Sequence, residues 1–192
     1  MSYNYDFKHK GLEEGEEKLK TYEEHKRLAP RSVNVTVITV SSSRYEKASQ
    51  GISVDDESGS KAVSMIKASG HKIVSRKLIS DDEEMIRLEV LRSLYDEDAD
   101  AVILTGGTGL AKKDVTFESI MPLLDKEIEG FGELFRAISY QKIGPPSYLS
   151  RALAGTLNCK LIFCLPGSPQ AVELALSLIL PELSHMVYHI RM

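Results

Sequence analysis

The chain has 192 residues, 42% of them hydrophobic, and a formal net charge of −4. This composition is that of a globular protein, and the negative charge disfavours binding to nucleic acid or to an anionic membrane, which requires a basic face. No apolar run approaches the roughly 20 residues that cross a bilayer, and residues 1–20 lack the apolar core of a signal peptide. We therefore expect a cytoplasmic protein with no nucleic-acid or membrane partner.

Residues 1–31 form a charged extension with seven acidic and seven basic residues and few aliphatic side chains after Leu12. Such a segment buries little surface by itself, so we predict an extension that is helical or partly disordered. Its helix, "LEEGEEKLKTYEEHKRL", is expected to dock on the domain or on a neighbouring subunit. Residues 32–192 are predicted to form one domain.

The domain begins with "VNVTVITV" (33–40), a continuous β-branched run typical of a strand that is covered on both faces. The polar residues 41–57 show no apolar period and are predicted to form a long loop. A helix is predicted at 58–69, where Gly70 ends it, and a strand follows at 72–79.

The next helix is predicted at 80–98, because its first residues are a serine and several acids, which suit a helix N-terminus. The apolar run 100–105 then predicts another buried strand. The inner faces predicted for the first two helices comprise Ala62, Met65, Ile66 and Ser69, and then Met85, Leu88, Leu91 and Leu94.

The last third of the chain continues the alternation of helices and strands. The predicted elements are helices at 116–128 and 130–144, a connector over 144–155, a strand at 160–165, and a helix at 171–190 that is broken at Pro181. Alternating units of this size predict an α/β fold, specifically a three-layer α/β/α sandwich with a mostly parallel sheet.

The cysteines and the paired histidines fit no catalytic or metal pattern. Cys159 and Cys164 match neither a redox pair nor a zinc spacing, and we predict that both are buried, inert thiols. His185 and His189 are four residues apart but lack the H-E-x-x-H context of zinc enzymes.

Two predicted strands end in glycine-containing loops, "GGTG" (106–109) and "PGSP" (166–169), and each loop precedes a helix. Ligands of open parallel sheets bind at the carboxyl ends of the strands. Glycines let several backbone N–H groups point at one spot, and a helix N-terminus adds positive potential. The loops, with hydroxyls from Thr105, Thr108 and Ser168, therefore predict a phosphate cradle. The alternative is a tight turn that binds no ligand.

Asp114 follows the first loop and favours a metal-bound nucleotide over a bare anion. A carboxylate repels a polyphosphate unless a cation lies between them, and Mg²⁺ prefers one or two carboxylates with phosphate oxygens and water. A second acid is available in "DDESG", at Asp55 or Asp56. The alternative for each acid is a helix cap.

Four motifs, "TGGTGLAKKDVT", "GFGELFRAISY", "LSRALAG" and "LPGSPQAVELAL", occur in this order and together resemble the MogA/MoaB family. This family comprises the molybdopterin adenylyltransferases of molybdenum or tungsten cofactor synthesis, with the G domains of Cnx and gephyrin as plant and animal counterparts. The resemblance covers roughly residues 32–192, and "PLLDKEIEGFGELFR" is most similar to the MoaB branch.

The resemblance implies Mg-ATP-dependent adenylylation of molybdopterin, in which AMP is joined to the terminal phosphate of the pterin and pyrophosphate is released. It assigns the catalytic and Mg²⁺-binding acids to Asp56, in D-x-S-G, and Asp114, in D-V-T. It also implies a trimer or hexamer and contacts with other cofactor-synthesis enzymes. The residues expected to bind substrate or nucleotide are Thr105, Gly106, Gly107, Thr108, Gly109, Ser150, Gly167, Ser168 and Pro169.

The chain departs from the family pattern at three places. Lys113 replaces an arginine that often precedes D-V-T, Phe117 replaces a proline, and "VSSSR" stands where many members have V-S-D. The last departure concerns the contacts of the first loop. The alternative function is that of a non-catalytic member that binds molybdopterin or serves as a scaffold.

Overall fold

The computed structural model describes residues 22–192, and its centre is one six-stranded sheet. The strands are β1 (Asn34–Val40), β2 (Lys72–Ile79), β3 (Ala101–Thr105), β4 (Lys126–Glu127), β5 (Leu153–Leu157) and β6 (Lys160–Leu165). Parallel pairing joins β2 to β1, β1 to β3 and β3 to β6, and antiparallel pairing adds β5 and β4 beyond β6. The sheet order is therefore β2-β1-β3-β6-β5-β4.

Helices cover both faces of this sheet, which confirms the predicted α/β sandwich. Two 3₁₀ turns, Met121–Leu123 and Pro145–Leu149, interrupt the connections. The helices are α1 (22–28), α2 (Ser42–Ser49), α3 (Glu57–Ala68), α4 (Glu83–Tyr95), α5 (Thr116–Ile120), α6 (Glu129–Ile143), α7 (Pro169–Ile179) and α8 (Leu183–Ile190).

Alternation along the strands divides the core into two layers, because successive side chains of a strand point to opposite faces. In β6, Leu161 and Phe163 pack with α3, α6, α7 and α8, whereas Ile162 and Cys164 pack with α4 and α5. The four strands predicted at 33–40, 72–79, 100–105 and 160–165 are all present within one residue of their expected bounds. Burial on both faces explains the continuous apolar runs of β1, β3 and β6, whereas the edge strand β2 is mostly exposed or partly buried.

The first correction concerns residues 41–57, which were predicted to be a loop throughout. Helix α2 forms there, although none of its residues is buried. Its polar sequence therefore carries no apolar period from which a helix could be predicted.

The second correction concerns the region between β3 and β6. The predicted helix 116–128 is wrong beyond Ile120, because a 3₁₀ turn containing Pro122 follows and the chain then enters β4. Proline lacks the N–H that would continue the helix. Strand β5 was not predicted, because residues 144–155 were interpreted as a connector and Gly155 interrupts the β-forming pattern.

The predicted inner face of α4 is correct at Leu94 and wrong at Leu88, and Met85 and Leu91 are only partly buried. Ile86, Val90 and Leu94 are fully buried at i, i+4 and i+8, whereas Leu88 is 50% exposed. In α3, Ala62 and Ile66 are buried as predicted, but Met65 is only partly buried and Ser69 lies exposed at the helix end. The prediction for Cys159 was wrong as well, since this thiol is exposed while Cys164 is buried.

The described end of the N-terminal extension packs on the C-terminal helix. Tyr22 donates a 2.7 Å hydrogen bond to Glu182, and Lys26 forms a 2.7 Å ion pair with the same carboxylate. The rings of His25 and His185 also approach, with centroids 6.0 Å apart. The remainder of the predicted extension lies outside the described residues.

Within residues 22–192, no single helix is long and apolar enough to span a membrane. Helices α7 and α8 reach that length and composition only as a pair, and the pair is bent by 58°. Their buried side chains, including Val172, Leu176 and Val187, belong to the core beneath the sheet.

Candidate functional site

A cavity of about 280 Å³ lies where β3 and β6 end, at the carboxyl edge of the parallel strands. It brings together the glycine loop, Asp114, Ser150 and Gly167, as the sequence predicted. The lining residues are Gly106, Gly107, Thr108, Gly109, Asp114, Leu149, Ser150, Arg151, Pro166 and Gly167.

The two glycine loops touch each other through their backbones. The Gly106 N–H donates to the Leu165 carbonyl at 3.0 Å, which ties the end of β3 to the end of β6. Gly106 has a φ of +102°, and a Cβ there would clash with the Val40 carbonyl oxygen. A Cβ on Gly167 would lie 3.1 Å from the Gly106 Cα. Position 106 therefore requires glycine for two reasons, its positive φ angle and the lack of room for a Cβ atom.

Thr116 holds the start of the glycine loop from the side of α5. Its Oγ1 donates to the Gly106 carbonyl at 2.9 Å, and its backbone N–H donates to the Gly107 carbonyl at 2.9 Å. Thr116 is fully buried. The sequence indicates only a helix start at Thr116, and the part of this residue in the loop depends on contacts that sequence does not show.

Arg151 holds the next two carbonyl groups. Its Nε donates to Thr108 at 2.8 Å and its Nη2 donates to Gly109 at 2.7 Å. The guanidinium is fixed in turn by Glu118, at 2.7 Å, and lies 4.7 Å from the ring centre of Phe117. Arg151 belongs to the "LSRALAG" motif, of which only Ser150 was predicted to lie in the site.

The opposite edge of the loop presents backbone donors to the cavity. Within residues 22–192, the N–H groups of Gly107, Thr108 and Gly109 donate to no protein acceptor. Unpaired N–H groups from consecutive residues of a turn create a site suited to an anion. The arrangement supports the predicted phosphate cradle over a turn that only reverses the chain.

Asp114 lines this cavity, and it does not cap α5. Its Oδ2 accepts from the Ala111 N–H at 3.0 Å, and the N-cap of α5 is Val115, without a side-chain hydrogen bond. A Cβ on Gly109 would lie 2.7 Å from the same Oδ2. The carboxylate therefore packs directly against the glycine loop.

Asp56 lies elsewhere, at the N-terminus of α3, and does not line the cavity. Its carboxylate is 9% exposed and accepts from the Gly59 N–H at 3.0 Å, from Thr39 Oγ1 at 2.8 Å and from Arg76 Nη2 at 2.7 Å. Burial opposes its ionisation, but the bonds from Arg76, Gly59 and Thr39 outweigh burial and lower the pKa of Asp56. The helix-cap alternative is confirmed for this residue, and its metal role stays a prediction.

Asp81 is an acid near the loop that the sequence analysis missed. Its Oδ2 accepts from the Ser42 N–H at 2.7 Å and from Ser42 Oγ at 2.8 Å. Its Oδ1 would lie 2.8 Å from a Cβ on Gly107. The available signal was its position directly after a parallel strand, because all such strands end at one edge. We had interpreted the acid only as part of a helix start.

The other predicted ligand residues lie around the cavity rather than in it. Thr105 is buried, and its Oγ1 donates to the Pro166 carbonyl at 3.2 Å, joining the two loops. Ser168 caps α7 by accepting from Ala171, and Pro169 is the first residue of that helix.

A second cavity of about 140 Å³ adjoins the first, with Ser150 and Pro166 in the walls of both. Apolar side chains from α6 and α7 form much of it, and Ser168 and Lys142 supply polar groups. The full lining is Phe135, Ser139, Lys142, Ile143, Ser150, Pro166, Ser168, Gln170, Ala171 and Leu174.

In the part of the chain that the structure describes, no three His, Cys, Asp or Glu side chains converge to hold a metal ion. Two acids lie at the glycine loop: Asp114 lines the cavity, and Asp81 lies beside Gly107 without lining it.

A family model described as a probable molybdopterin binding domain matches residues 36–185. The chain belongs to the MogA/MoaB family. Among its relatives, molybdenum cofactor biosynthesis protein B of Bacillus cereus is 46% identical over 169 residues, which are 87% of this chain and 96% of that protein. The protein of the same name from Bacillus subtilis is 43% identical over 171 residues, 88% and 96% of the two chains.

Solved structures of the MogA/MoaB family superimpose on most of the chain. A crystal structure of molybdenum cofactor biosynthesis protein B has a TM-score of 0.77 at 45% identity and covers 85% of this chain and 98% of its own. The tungsten cofactor synthesizing protein MoaB of Pyrococcus furiosus has a TM-score of 0.76 at 36% identity, with coverage of 85% and 100%. These relatives confirm the predicted family and its MoaB branch.

Proposed function

We propose that this chain is a molybdopterin adenylyltransferase of molybdenum or tungsten cofactor biosynthesis, which uses Mg-ATP and releases adenylyl-molybdopterin and pyrophosphate. The observation that carries the proposal is the row of unpaired N–H groups at Gly107, Thr108 and Gly109 beside the Asp114 carboxylate. Donors for phosphate and an acid for a cation are the two components that a metal-bound nucleotide requires.

The acids fit a magnesium ion on the chemistry of their donors. Asp114 Oδ1 has no protein donor among residues 22–192, and Asp81 directs Oδ1 toward Gly107. We propose Asp114 as the principal metal ligand, with Asp81 as the second acid in place of Asp56, whose carboxylate is held by Arg76. When bound, Mg²⁺ would neutralise phosphate charge and orient the reacting groups.

The adjoining pair of cavities supports a substrate with an anionic part and a ring system. The glycine loop offers donors for phosphate, and the second cavity offers the apolar surface of Phe135 and Leu174. Ser150 lines both cavities and is positioned to contact the connection between these parts. A phosphorylated pterin has this division of chemistry.

The reaction needs no activated side-chain nucleophile. A terminal phosphate oxygen of molybdopterin, already anionic at neutral pH, attacks the α-phosphorus of ATP. A new P–O bond forms, the bond between that phosphorus and the bridging oxygen breaks, and pyrophosphate leaves. The chain's own residues position the two substrates and stabilise developing charge through oriented N–H groups.

The decisive experiment measures pyrophosphate release from Mg-ATP and purified molybdopterin. We expect Asp114→Asn to lower kcat at least 100-fold, whereas Asp96→Asn leaves it unchanged. Asp96 is a matched control because it is an exposed acid at the C-terminal end of α4. A wild-type protein that binds molybdopterin tightly but releases no pyrophosphate would instead be the non-catalytic binding or scaffold member.

The proposal includes a cytoplasmic homo-oligomer, a trimer or hexamer. Exposed apolar side chains on α6 and the following turn support self-association, namely Leu134, Tyr140, Ile143, Tyr148 and Leu149. Light scattering coupled to size-exclusion chromatography tests the assembly, and a monomer at micromolar concentration would contradict it.

A further inference from the structure

Each of the three unpaired N–H groups follows a carbonyl group that is held on the other side of the loop. In a trans peptide, the C=O of one residue and the N–H of the next are coplanar and point in opposite directions. The Gly106 and Gly107 carbonyls accept from Thr116, and the Thr108 carbonyl accepts from Arg151 Nε. Fixing these carbonyls therefore fixes the N–H groups of the next residues.

We infer that Arg151 is a positioning residue, which orients the Gly109 N–H toward the bound phosphate by holding the Thr108 carbonyl. Thr116 orients the N–H groups of Gly107 and Thr108 in the same manner. The identity of the ligand rests on the proposed function, whereas the orientation of the loop is a property of the free protein.

The surroundings of Arg151 favour this role over direct charge pairing with phosphate. Its Nη1 forms a 2.7 Å ion pair with Glu118 Oε1, and its Nη2 donates to the Gly109 carbonyl. The hydrogen bond from Arg151 lowers the pKa of Glu118 despite partial burial, so the carboxylate stays ionised at neutral pH. The charge of the guanidinium thus has a partner within the protein, while its donors reach four acceptors, because Nη2 also donates to the Asp114 carbonyl at 3.4 Å.

A lysine cannot reproduce this arrangement. An ammonium group retains the charge, but it lacks the planar set of donors that reaches Thr108, Gly109 and Glu118 together. Arg151→Lys is therefore the informative variant. Arg92→Lys is its control, because Arg92 is an exposed arginine that pairs with Glu89 on α4.

The first measurement is ¹⁵N relaxation of the free protein, in which order parameters report backbone motion. We expect the order parameter of the Gly109 amide to fall from the rigid value of about 0.85 to below about 0.6 in Arg151→Lys. In Thr116→Val the Gly107 amide should lose order instead, because only the Oγ1 bond to Gly106 is removed. Arg92→Lys should change neither amide.

The second measurement is the Kd of Mg-pyrophosphate, together with KM for Mg-ATP and urea unfolding. We expect Arg151→Lys to raise Kd and KM about tenfold at unchanged kcat. The lower order parameter of the Gly109 amide should be seen at urea concentrations and temperatures at which the variant is fully folded. An ordered Gly109 amide in Arg151→Lys overturns the inference, and so does an unchanged Kd. If Arg151→Lys does not fold, Glu118→Gln, which weakens the ion pair that fixes the guanidinium, provides the test at Gly109.

These measurements distinguish a failure of the adenylyltransferase proposal from a failure of the positioning role of Arg151. A wild-type protein that binds Mg-pyrophosphate with an Arg151-dependent loop, but releases no pyrophosphate from ATP and molybdopterin, contradicts the adenylyltransferase and supports the positioning role. A catalytically active protein whose loop order does not depend on Arg151 contradicts the positioning role alone.

Discussion

Replacing Asp56 by alanine removes the acceptor that joins α3 to β1 and β2. Loss of a helix cap costs about 1 kcal/mol, and leaving the buried Thr39 hydroxyl without its acceptor costs roughly 1–3 kcal/mol. The ion pair adds less than about 1 kcal/mol, because Arg76 is 39% exposed and water screens the pair. We therefore expect Asp56→Ala to lower the free energy of unfolding by about 3 kcal/mol.

Urea unfolding followed by far-ultraviolet circular dichroism measures this loss. With a denaturant slope near 2 kcal/mol per molar, the midpoint should fall by about 1.5 M. Asp56→Asn should lose less, since asparagine also caps helices. Asp55→Ala is the control, because Asp55 is exposed, and such surface substitutions change stability by less than about 0.5 kcal/mol.

The same series separates a structural Asp56 from a metal-binding one. If Asp56 only caps α3 and pairs with Arg76, the Asn variant should keep most pyrophosphate release at temperatures where it is folded. An Asp56→Ala variant that is as stable as wild type yet inactive would refute the structural reasoning and favour the metal role.

The remaining predictions concern pH, thiol reactivity and the core. The stability that Asp56 contributes is present above its unfolded pKa and lost as pH falls through its lowered folded pKa. The difference in unfolding free energy between wild type and Asp56→Asn should therefore shrink below about pH 4. A thiol reagent should modify exposed Cys159 in the folded protein and Cys164 only after unfolding, because burial hides that thiol and raises its pKa; mass spectrometry counts the adducts. Ile86→Ala should cost about 2–5 kcal/mol in urea unfolding, and half-exposed Leu88→Ala less than about 1 kcal/mol.

The elements that could be predicted from sequence are those whose residue pattern follows directly from burial. Strands β1 and β6 are covered on both faces, so every position after the first is apolar or β-branched and the pattern is unambiguous. Helix α2 buries nothing and was missed for that reason. Helix α4 offered two apolar stripes, and only packing on the sheet selects the one that contains Ile86.

The candidate site was predictable as far as strand order could bring its residues together. The alternating pattern placed the loops after β3 and β6 at the same edge of the sheet, and they meet because those strands are neighbours. The contacts of Arg151 and Thr116 with loop carbonyls depend on side-chain directions that no spacing reveals. The cap role of Asp56 could not be separated from a metal role by sequence, because both use the same residue type and the partner, Arg76, is on another strand.

The adjacency of β3 and β6 has a consequence for the order in which the protein gains its binding site during synthesis. The glycine loop leaves the ribosome with β3, but its neighbouring wall at Gly167 follows β6, about sixty residues later. Until β6 pairs with β3, the Gly106 N–H has no partner at Leu165 and the cavity has one side. A ligand of this cavity therefore meets a complete site only after nearly the whole domain has been translated, and its binding can stabilise the finished fold without trapping a partial one.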